Sequence, residues 1–126
     1  MPNITVSIHE KGPFFTLPGN VIHTVLNDAI KEMVAEGETL VTNQLYEGHG
    51  VKTGHYRRSV HGRLLDTIHG EVHDSRVVYG PWLEGTSSRN QTTRFKGYAM
   101  FRQAREKLET KVRGILRAAI KRGLGL

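Results

Sequence analysis

The chain has 126 residues, a formal net charge of +6 and no cysteine. This length indicates one domain spanning residues 1–126, and the lack of cysteine excludes disulfides, thiolate metal sites and cysteine nucleophiles. The first thirty residues show no basic stretch followed by an apolar run, and no window approaches the roughly 18 apolar residues of a membrane span. We therefore expect a protein made in a cytoplasm-like compartment.

The N-terminal third predicts a short strand followed by a long helix. Residues 4–9 alternate apolar and polar side chains and include β-branched residues, which is typical of a strand. From about residue 21 to residue 46, apolar residues recur every three or four positions, as on the buried face of an amphipathic helix. Gly37 lies inside this stretch and costs about 1 kcal/mol relative to alanine, so a bend or break can occur there.

The middle of the chain, about residues 56–79, predicts three strands. Residues 56–65, 70–73 and 76–79 approach the alternation of a strand, and Asp74 and Ser75 are typical turn residues between the last two. Pro81 cannot donate a hydrogen bond within a central strand. Residues 80–85 are therefore expected to form a single helical turn that begins at this proline.

The C-terminal third predicts an exposed loop and a second long helix. Residues 86–97 are polar except for Phe95, and ordering such a loop costs about 1–2 kcal/mol per residue, so we expect it to be mobile in the isolated protein. Residues from about 99 to 122 return to helical spacing, with basic side chains outside the apolar stripe. The element order predicts an α+β fold: an antiparallel sheet of about three to four strands packed by a long N-terminal helix and a long C-terminal helix.

Charge is unevenly distributed along the chain. Residues 1–50 hold two basic and six acidic side chains, whereas residues 51–126 hold sixteen basic and six acidic ones. This separation suits a molecule whose faces meet different surfaces or its own copies, and it also suits a nucleic-acid binder. Residues 86–122 alone carry eleven Lys and Arg against two Glu. A small basic nucleic-acid-binding module is therefore an alternative interpretation, although no helix-turn-helix spacing or zinc knuckle is present.

No pattern for catalysis, metal binding or cofactor binding emerges. His69 and His73 are four residues apart, but they fall around a predicted turn and strand, where this spacing does not converge on a metal ion. Glu84 lies beside Trp82, and an apolar ring can raise the pKa of a carboxyl group, yet no partner carboxylate or nucleophile accompanies it. Phosphate-binding and dinucleotide-binding glycine motifs are absent as well. We expect no enzymatic activity, no metal and no cofactor.

Two short segments carry a family resemblance. They are TGHYRRS at residues 53–59 and YGPWLEGT at residues 79–86, followed by a polar loop, an aromatic segment at residues 98–102 and a terminal helix. The two segments resemble the Thr-Gly-x-Leu-Arg-x-Ser and Tyr-Ala-x-Tyr-Val-Glu-x-Gly-Thr motifs of the tail-completion, or head–tail joining, proteins of long-tailed bacteriophages. The resemblance spans about residues 20–122. Pro81-Trp82 and the direct junction of Glu84 with Gly85 depart from the family pattern.

The resemblance implies a non-catalytic structural protein of the virion neck, present in the host cytoplasm during assembly. Its copies would form a homo-oligomeric ring, a hexamer by resemblance, that joins the tail to the capsid connector. The implied partners are the connector or stopper, the tail terminator or tail tube proteins, and genomic DNA held non-specifically in the lumen, with no membrane. Because only 37% of the residues are apolar, we expect the isolated protein to be monomeric or weakly associated.

The same region supplies the candidate site residues. Trp82 is the only tryptophan and lies on the proline-initiated turn beside the polar loop, where aromatic side chains often anchor interfaces. Phe95 gives the loop one apolar anchor. The candidate interface residues are Tyr79, Trp82, Glu84 and Phe95. The candidate loop or DNA-channel contacts are Arg89, Arg94 and Lys96.

Overall fold

The computed structural model describes residues 2–8, 19–46 and 54–125. Within these ranges the chain forms three strands and six helices. They are, in chain order, β1 (Asn3–Ser7), α1 (Gly19–Tyr46), α2 (Gly54–Ser59), β2 (His61–Asp66), β3 (His69–His73), α3 (Gly80–Glu84), α4 (Ser88–Thr92), α5 (Met100–Glu109) and α6 (Val112–Leu124). The strands form one antiparallel sheet in the order β1–β3–β2, which confirms the predicted α+β class.

Helix α1 is the centre of the core. Its apolar stripe is buried at the positions that the spacing predicts, namely Ile22, Val25, Leu26, Ala29, Ile30, Met33, Val34 and Val41. The helix passes through Gly37 without a break. A Cβ atom at Gly37 would lie 3.1 Å from a Val72 methyl group and 3.4 Å from a Leu108 methyl group. The missing side chain therefore lets β3 and α5 pack closely against α1.

One face of the sheet packs on α1 at close range. Ile4, Val72 and Gly62 form a cross-strand row on this face. A Cβ atom at Gly62 would lie 2.3 Å from one Val34 methyl group, and a Cβ atom at Gly70, in the next row, would lie 2.4 Å from the other. The two glycines thus bring the helix against the backbone of β2 and β3. As a result, β3 is largely buried while β2 remains exposed at the edge of the sheet.

Residues 76–79 form turns rather than the predicted strand. Asp74, which follows β3, is fully buried, and its carboxylate accepts hydrogen bonds from Tyr56 Oη at 2.9 Å and from the Arg76 N–H at 3.1 Å. The Gly80 N–H then donates to the Val77 carbonyl at 2.9 Å. These bonds reverse the chain immediately after β3, so a fourth strand is not formed by this segment.

The predicted strand boundaries also change at two other places. Residues 54–59 form α2, and β2 begins only at His61, so the first half of the predicted 56–65 strand is helical. The noisy alternation there reflects Tyr56, which is buried against Asp74, rather than a strand face. Strand β1 ends at Ser7, and His9, the end of the predicted first strand, lies outside the described residues.

The predicted C-terminal helix is divided into α5 and α6. The Thr110 N–H donates to the Lys107 carbonyl at 3.3 Å and the Lys111 N–H donates to the Leu108 carbonyl at 2.8 Å, which tightens the chain between the two helices. The apolar spacing continues across this junction, since Leu108 and Val112 are four residues apart. Both helices pack against α1. Within the described ranges, no helix is both long enough and apolar enough to cross a membrane.

The acidic and basic halves of the chain form ion pairs with each other. Lys111 Nζ on the α5–α6 junction lies 2.8 Å from Glu36 Oε1 on α1, and Arg122 on α6 bonds to Glu32 on α1. These pairs are exposed and contribute at most about 1 kcal/mol each. They nevertheless pair Glu32 and Glu36 within the chain, so these two acidic side chains are not the unpaired groups that the uneven charge along the sequence suggested for contact with another copy. What remains on the surface is an excess of positive charge.

Candidate interaction site

The turn that follows Asp74 positions helix α3, the first element of the candidate site. Pro81 occupies the first turn of α3, as predicted. A Cβ atom at Gly80 would lie 1.9 Å from Asp74 Oδ2, so only glycine fits between the buried carboxylate and the helix. Burial and the hydrogen bond to Asp74 raise the pKa of Tyr56, which therefore remains a neutral donor at physiological pH. Helix α3 is thus anchored to the end of β3.

Glu84 binds the N-terminus of α5 from a buried position in the same chain. Its Oε1 accepts a hydrogen bond from the Phe101 N–H at 2.8 Å and its Oε2 accepts one from the Arg102 N–H at 3.1 Å. The cap residue Ala99 has a left-handed backbone and offers no side-chain acceptor, so Glu84 supplies what the cap lacks. Glu84 is only 8% exposed. The sequence predicts Glu84 as an interface residue; in the structure its carboxylate is buried and bonded within the chain.

Burial raises the pKa of Glu84 above its ordinary value. The hydrogen bonds from the Phe101 and Arg102 amides and the positive charges of Arg102 and Arg105 oppose this increase without cancelling it. The carboxylate thus resides at the positive end of a helix dipole, in a place that water reaches poorly. It links α3 to α5 and holds the segment between them at both ends.

Two glycines close the loop at residues 85–97, hereafter the 85–97 loop. Gly85 has φ +102° and Gly97 has φ +93°, both in the left-handed region that favours glycine. A Cβ atom at Gly97 would lie 2.2 Å from the Gly85 Cα atom. Beyond this crossing, the Tyr98 N–H donates to the Leu83 carbonyl and the Ala99 N–H donates to the Glu84 carbonyl. The base of the loop is therefore a narrow backbone contact.

Asn90 organises the interior of the 85–97 loop. Its side chain is 2% exposed; Nδ2 donates to the carbonyls of Trp82 and Phe95, each at 3.1 Å, and Oδ1 accepts from the Ser87 N–H at 3.0 Å. The last bond is half of a capping box that starts α4. The segment is thus not the structureless loop predicted from its composition, because one buried amide and a short helix supply internal hydrogen bonds.

An aromatic cluster covers the outer side of this loop. The Trp82 and Phe95 ring centroids are 4.9 Å apart, and those of Phe95 and Tyr98 are 5.0 Å apart with the rings edge to face. The guanidinium carbon of Arg89 lies 5.3 Å from the Trp82 ring centroid. Trp82 and Phe95 are both partly exposed. The structure therefore brings together two of the predicted interface residues and one predicted loop cation.

The other predicted contacts are placed apart from this cluster. Lys96 Nζ donates to the carbonyls of Asn90 and Gln91 at 2.9 and 3.3 Å, so its charge helps to hold the 85–97 loop. Arg94 is exposed and makes no hydrogen bond or ion pair with a described residue. Tyr79 is 40% exposed, and its ring packs against that of Tyr56 at 5.8 Å between centroids. Of the three predicted loop cations, Arg94 alone is not engaged by the loop.

Two residues essential to this arrangement were not singled out by the sequence reasoning. Asn90 had a detectable signal, because Ser87-Ser88-Arg89-Asn90 has the spacing of a capping box. Asp74 had no sequence signal beyond its turn propensity, because only the tertiary fold brings Tyr56 and Gly80 into contact with it. From the first motif, Thr53 lies outside the described residues, and Gly54–Ser59 form α2.

Among residues 2–8, 19–46 and 54–125, no group of three or more His, Asp or Glu side chains could hold a metal ion. His69 instead shares its Nδ1 with the Asp66 carboxylate at 2.8 Å. The site is therefore defined by aromatic, amide and guanidinium groups on a closed loop.

Comparisons of the chain with protein-family models, with curated proteins and with solved structures find no match.

Proposed function

We propose that this chain is a tail-completion, or head–tail joining, subunit of a bacteriophage virion, acting without catalysis. The observation that carries the proposal is the 85–97 loop. Residues of the motif that resembles this family (Glu84 and Gly85) form its base, while Trp82, Phe95 and Arg89 form its outer surface. Such an aromatic and arginine surface on a rigid base is typical of the central contacts of protein interfaces.

The proposed partners are proteins on either side of the neck and further copies of the chain. Copies would assemble into a ring, a hexamer by resemblance, between the capsid connector or stopper and the tail terminator or tail tube, with genomic DNA in the lumen. The protein would act in the virion after assembly in the host cytoplasm. Capsid and tail genes beside its gene would support this role; repressor or replication genes there would oppose it.

We expect Trp82→Ala to leave the protein folded and to reduce head–tail joining by at least about tenfold, because aromatic anchors carry most of the energy of an interface. The loss of fold stability should be about 1 kcal/mol, since Trp82 contacts Phe95 and Arg89 rather than the main core. The measurement is to add the purified variant to separated heads and tails from a phage with an inactive gene and to count joined particles by electron microscopy.

Trp82→Phe is the matched control, because it keeps a ring that stacks on Phe95 and should retain most of the joining. A folded Trp82→Ala variant that joins heads to tails as well as the unmodified protein would contradict the interface role of this cluster.

An Arg94→Ser variant tests whether the loop contacts DNA. It removes a loop cation that makes no hydrogen bond or ion pair with a described residue, and it leaves the bonds of Asn90 and Lys96 intact.

The alternative function, a small basic nucleic-acid-binding module, is favoured by one specific observation. Helix α6 exposes Arg113, Arg117 and Lys121 at intervals of four residues, and none of the three forms an ion pair with a described carboxylate. Lys111 and Arg122, by contrast, pair with α1. A row of cations on one helix face could follow a phosphate backbone.

Replacing Arg117 and Lys121 together by serine separates the two functions. We expect weak, salt-dependent binding to duplex DNA to fall, with the slope of log affinity against log salt decreasing by about 0.9 for each lost phosphate contact, while head–tail joining changes little. Binding can be measured by fluorescence anisotropy at several salt concentrations. Tight binding by the unmodified protein, combined with normal joining by Trp82→Ala, would instead support the nucleic-acid function.

A further inference from the structure

The sheet has two open edges among the described strands, and a groove lies along each of them. The first groove runs beside β1 and is lined by Ile4–Ile8 together with residues of α1, α5 and α6. Successive strand residues point to opposite faces of a sheet. A groove on one face of the sheet would contact only every second residue of β1. Because this groove contacts five successive residues, it must run along the edge of the strand.

The groove beside β1 has an apolar floor and is lined by backbone groups that bond to no described residue. Its apolar lining consists of Ile4, Val6, Met33, Leu108, Val112 and Leu116. The Ile8 N–H donates to the Ile68 carbonyl at 3.1 Å, and pairing alternates along an antiparallel ladder. The backbone groups of Thr5 and Ser7 therefore point away from β3 and towards the groove.

The opposite edge, β2, exposes two apolar side chains. Leu64 is 41% exposed and Leu65 is 50% exposed. Leu65 is the extra residue where the register of β2 against β3 shifts, so it has no partner on β3. The Gly62 N–H is already bonded to Glu38 Oε2 at 2.8 Å. The accessible part of this edge is therefore the segment around the two leucines.

The two edges also carry complementary charge. The surface around Leu64 and Leu65 includes Asp28 and Asp66 against Lys31, with His23 also present. The groove beside β1 includes Arg105 and Arg113 against Glu109. The surface around the two leucines thus has one excess negative charge, and the groove beside β1 has one excess positive charge; within the chain, Asp66 pairs with His69 and Arg105 pairs with Glu109. Neither surface is accounted for by the aromatic cluster on the 85–97 loop.

We infer that the β2 edge of one subunit docks into the groove beside β1 of a second copy of the same chain, with Leu64 and Leu65 on its apolar floor. The contact joins two different surfaces, so it is head-to-tail and repeats from copy to copy into a ring or a filament. Its apolar area is limited to two partly exposed leucines, so the association is weak in dilute solution. This inference rests on the two edges and not on the proposed function.

The absence of natural cysteine allows a direct test by cross-linking. Strands β1 and β2 both run antiparallel to β3, so they are parallel to each other. Ser7 on β1 and Asp66 on β2 both pair with His69, so β2 of a second copy that continues the sheet beside β1 in the same register brings its Thr67 near Ser7 of the first copy. We expect a mixture of Ser7→Cys and Thr67→Cys, both exposed positions, to form a mixed dimer with a short bismaleimide reagent at about 1 mM protein. Thr92→Cys on α4 replaces Thr67→Cys in the matched control.

Adding Leu64→Ser and Leu65→Ser to the Thr67→Cys chain should lower the mixed-dimer yield by about tenfold or more, because the apolar contact is lost. Both leucines are exposed, so circular dichroism should show an unchanged fold. A mixed-dimer yield no higher than that of the Thr92→Cys control, or a dominant Ser7→Cys homodimer, would overturn the inference. The cross-link reports the contact itself, whereas particle counting reports joining, so either proposal can fail without the other.

Discussion

Replacing Glu84 by alanine should lower the free energy of unfolding by about 2–4 kcal/mol, since two backbone N–H groups at the start of α5 lose their acceptors in a buried place. The affected bonds are those from Phe101 and Arg102. Ala99 cannot replace the lost acceptors, because it offers no side-chain oxygen. Urea denaturation at pH 7, followed by circular dichroism, measures the effect.

Glu84→Gln provides both a control and a pH test. The amide keeps one acceptor oxygen, so its cost should be smaller than that of alanine. Because burial raises the pKa of Glu84 in the folded state, the folded protein holds its proton to a higher pH than the unfolded chain does. The stability of the unmodified protein relative to Glu84→Gln should therefore rise as the pH falls from 7 through the raised pKa, and level off below the ordinary value of 4.5. A decrease over this range would contradict the assignment.

Gly97→Ala should be at least as disruptive, with a loss of about 3 kcal/mol or more, since it combines backbone strain with a steric overlap. Gly97 has a positive φ of +93°, and its added Cβ atom would lie 2.2 Å from the Gly85 Cα atom and 2.3 Å from the Gly85 nitrogen. Both neighbours are backbone atoms that no change of rotamer can move. Thermal denaturation measures the loss, and faster amide hydrogen exchange at Tyr98 and Ala99 would locate it at the loop base.

Gly114→Ala is the matched control for that substitution. A Cβ atom at Gly114 would meet no atom within 4 Å, and the residue lies inside α6. Alanine should therefore raise stability by about 1 kcal/mol at this position through its higher helix propensity. If Gly97→Ala were tolerated as well as Gly114→Ala, the 85–97 loop would not depend on the glycine crossing at its base.

The elements that could be predicted are those whose pattern is local. The long periodic stripe of α1 and the alternation in β1 and β3 are visible in the sequence, and Pro81 marks the start of α3. The break between α5 and α6 could not be predicted, because Leu108 and Val112 keep the helical spacing across it. The turns at residues 76–79 depend on buried Asp74, whose partner Tyr56 lies 18 residues earlier. A contact at that separation leaves no periodic signal.

The candidate site was predicted by composition but not by geometry. Trp82 and Phe95 were identified because aromatic residues are rare in this polar region, and they do lie together. The sequence predicts Glu84 as an interface residue and does not show its bonds to the N-terminus of α5, because that helix begins 16 residues later. The sequence predicts Lys96 as a loop or DNA-channel contact but does not show that two carbonyls of the loop accept its hydrogen bonds. Charge type can be read from a sequence, but the partners of a charge depend on the fold.

The glycine crossing at Gly85 and Gly97 separates the chain into a frame and a replaceable insert. The ends of the insert are held by backbone contacts and by the Leu83 and Glu84 carbonyls, so its attachment does not depend on the side chains at its tip. Residues 91–94 can therefore be exchanged, or the segment lengthened there, at little cost to the core while the buried Asn90 is kept, because loop closure entropy grows only slowly with length. A different segment grafted at these positions can therefore present a new surface while α1, α5, α6 and the sheet stay as they are.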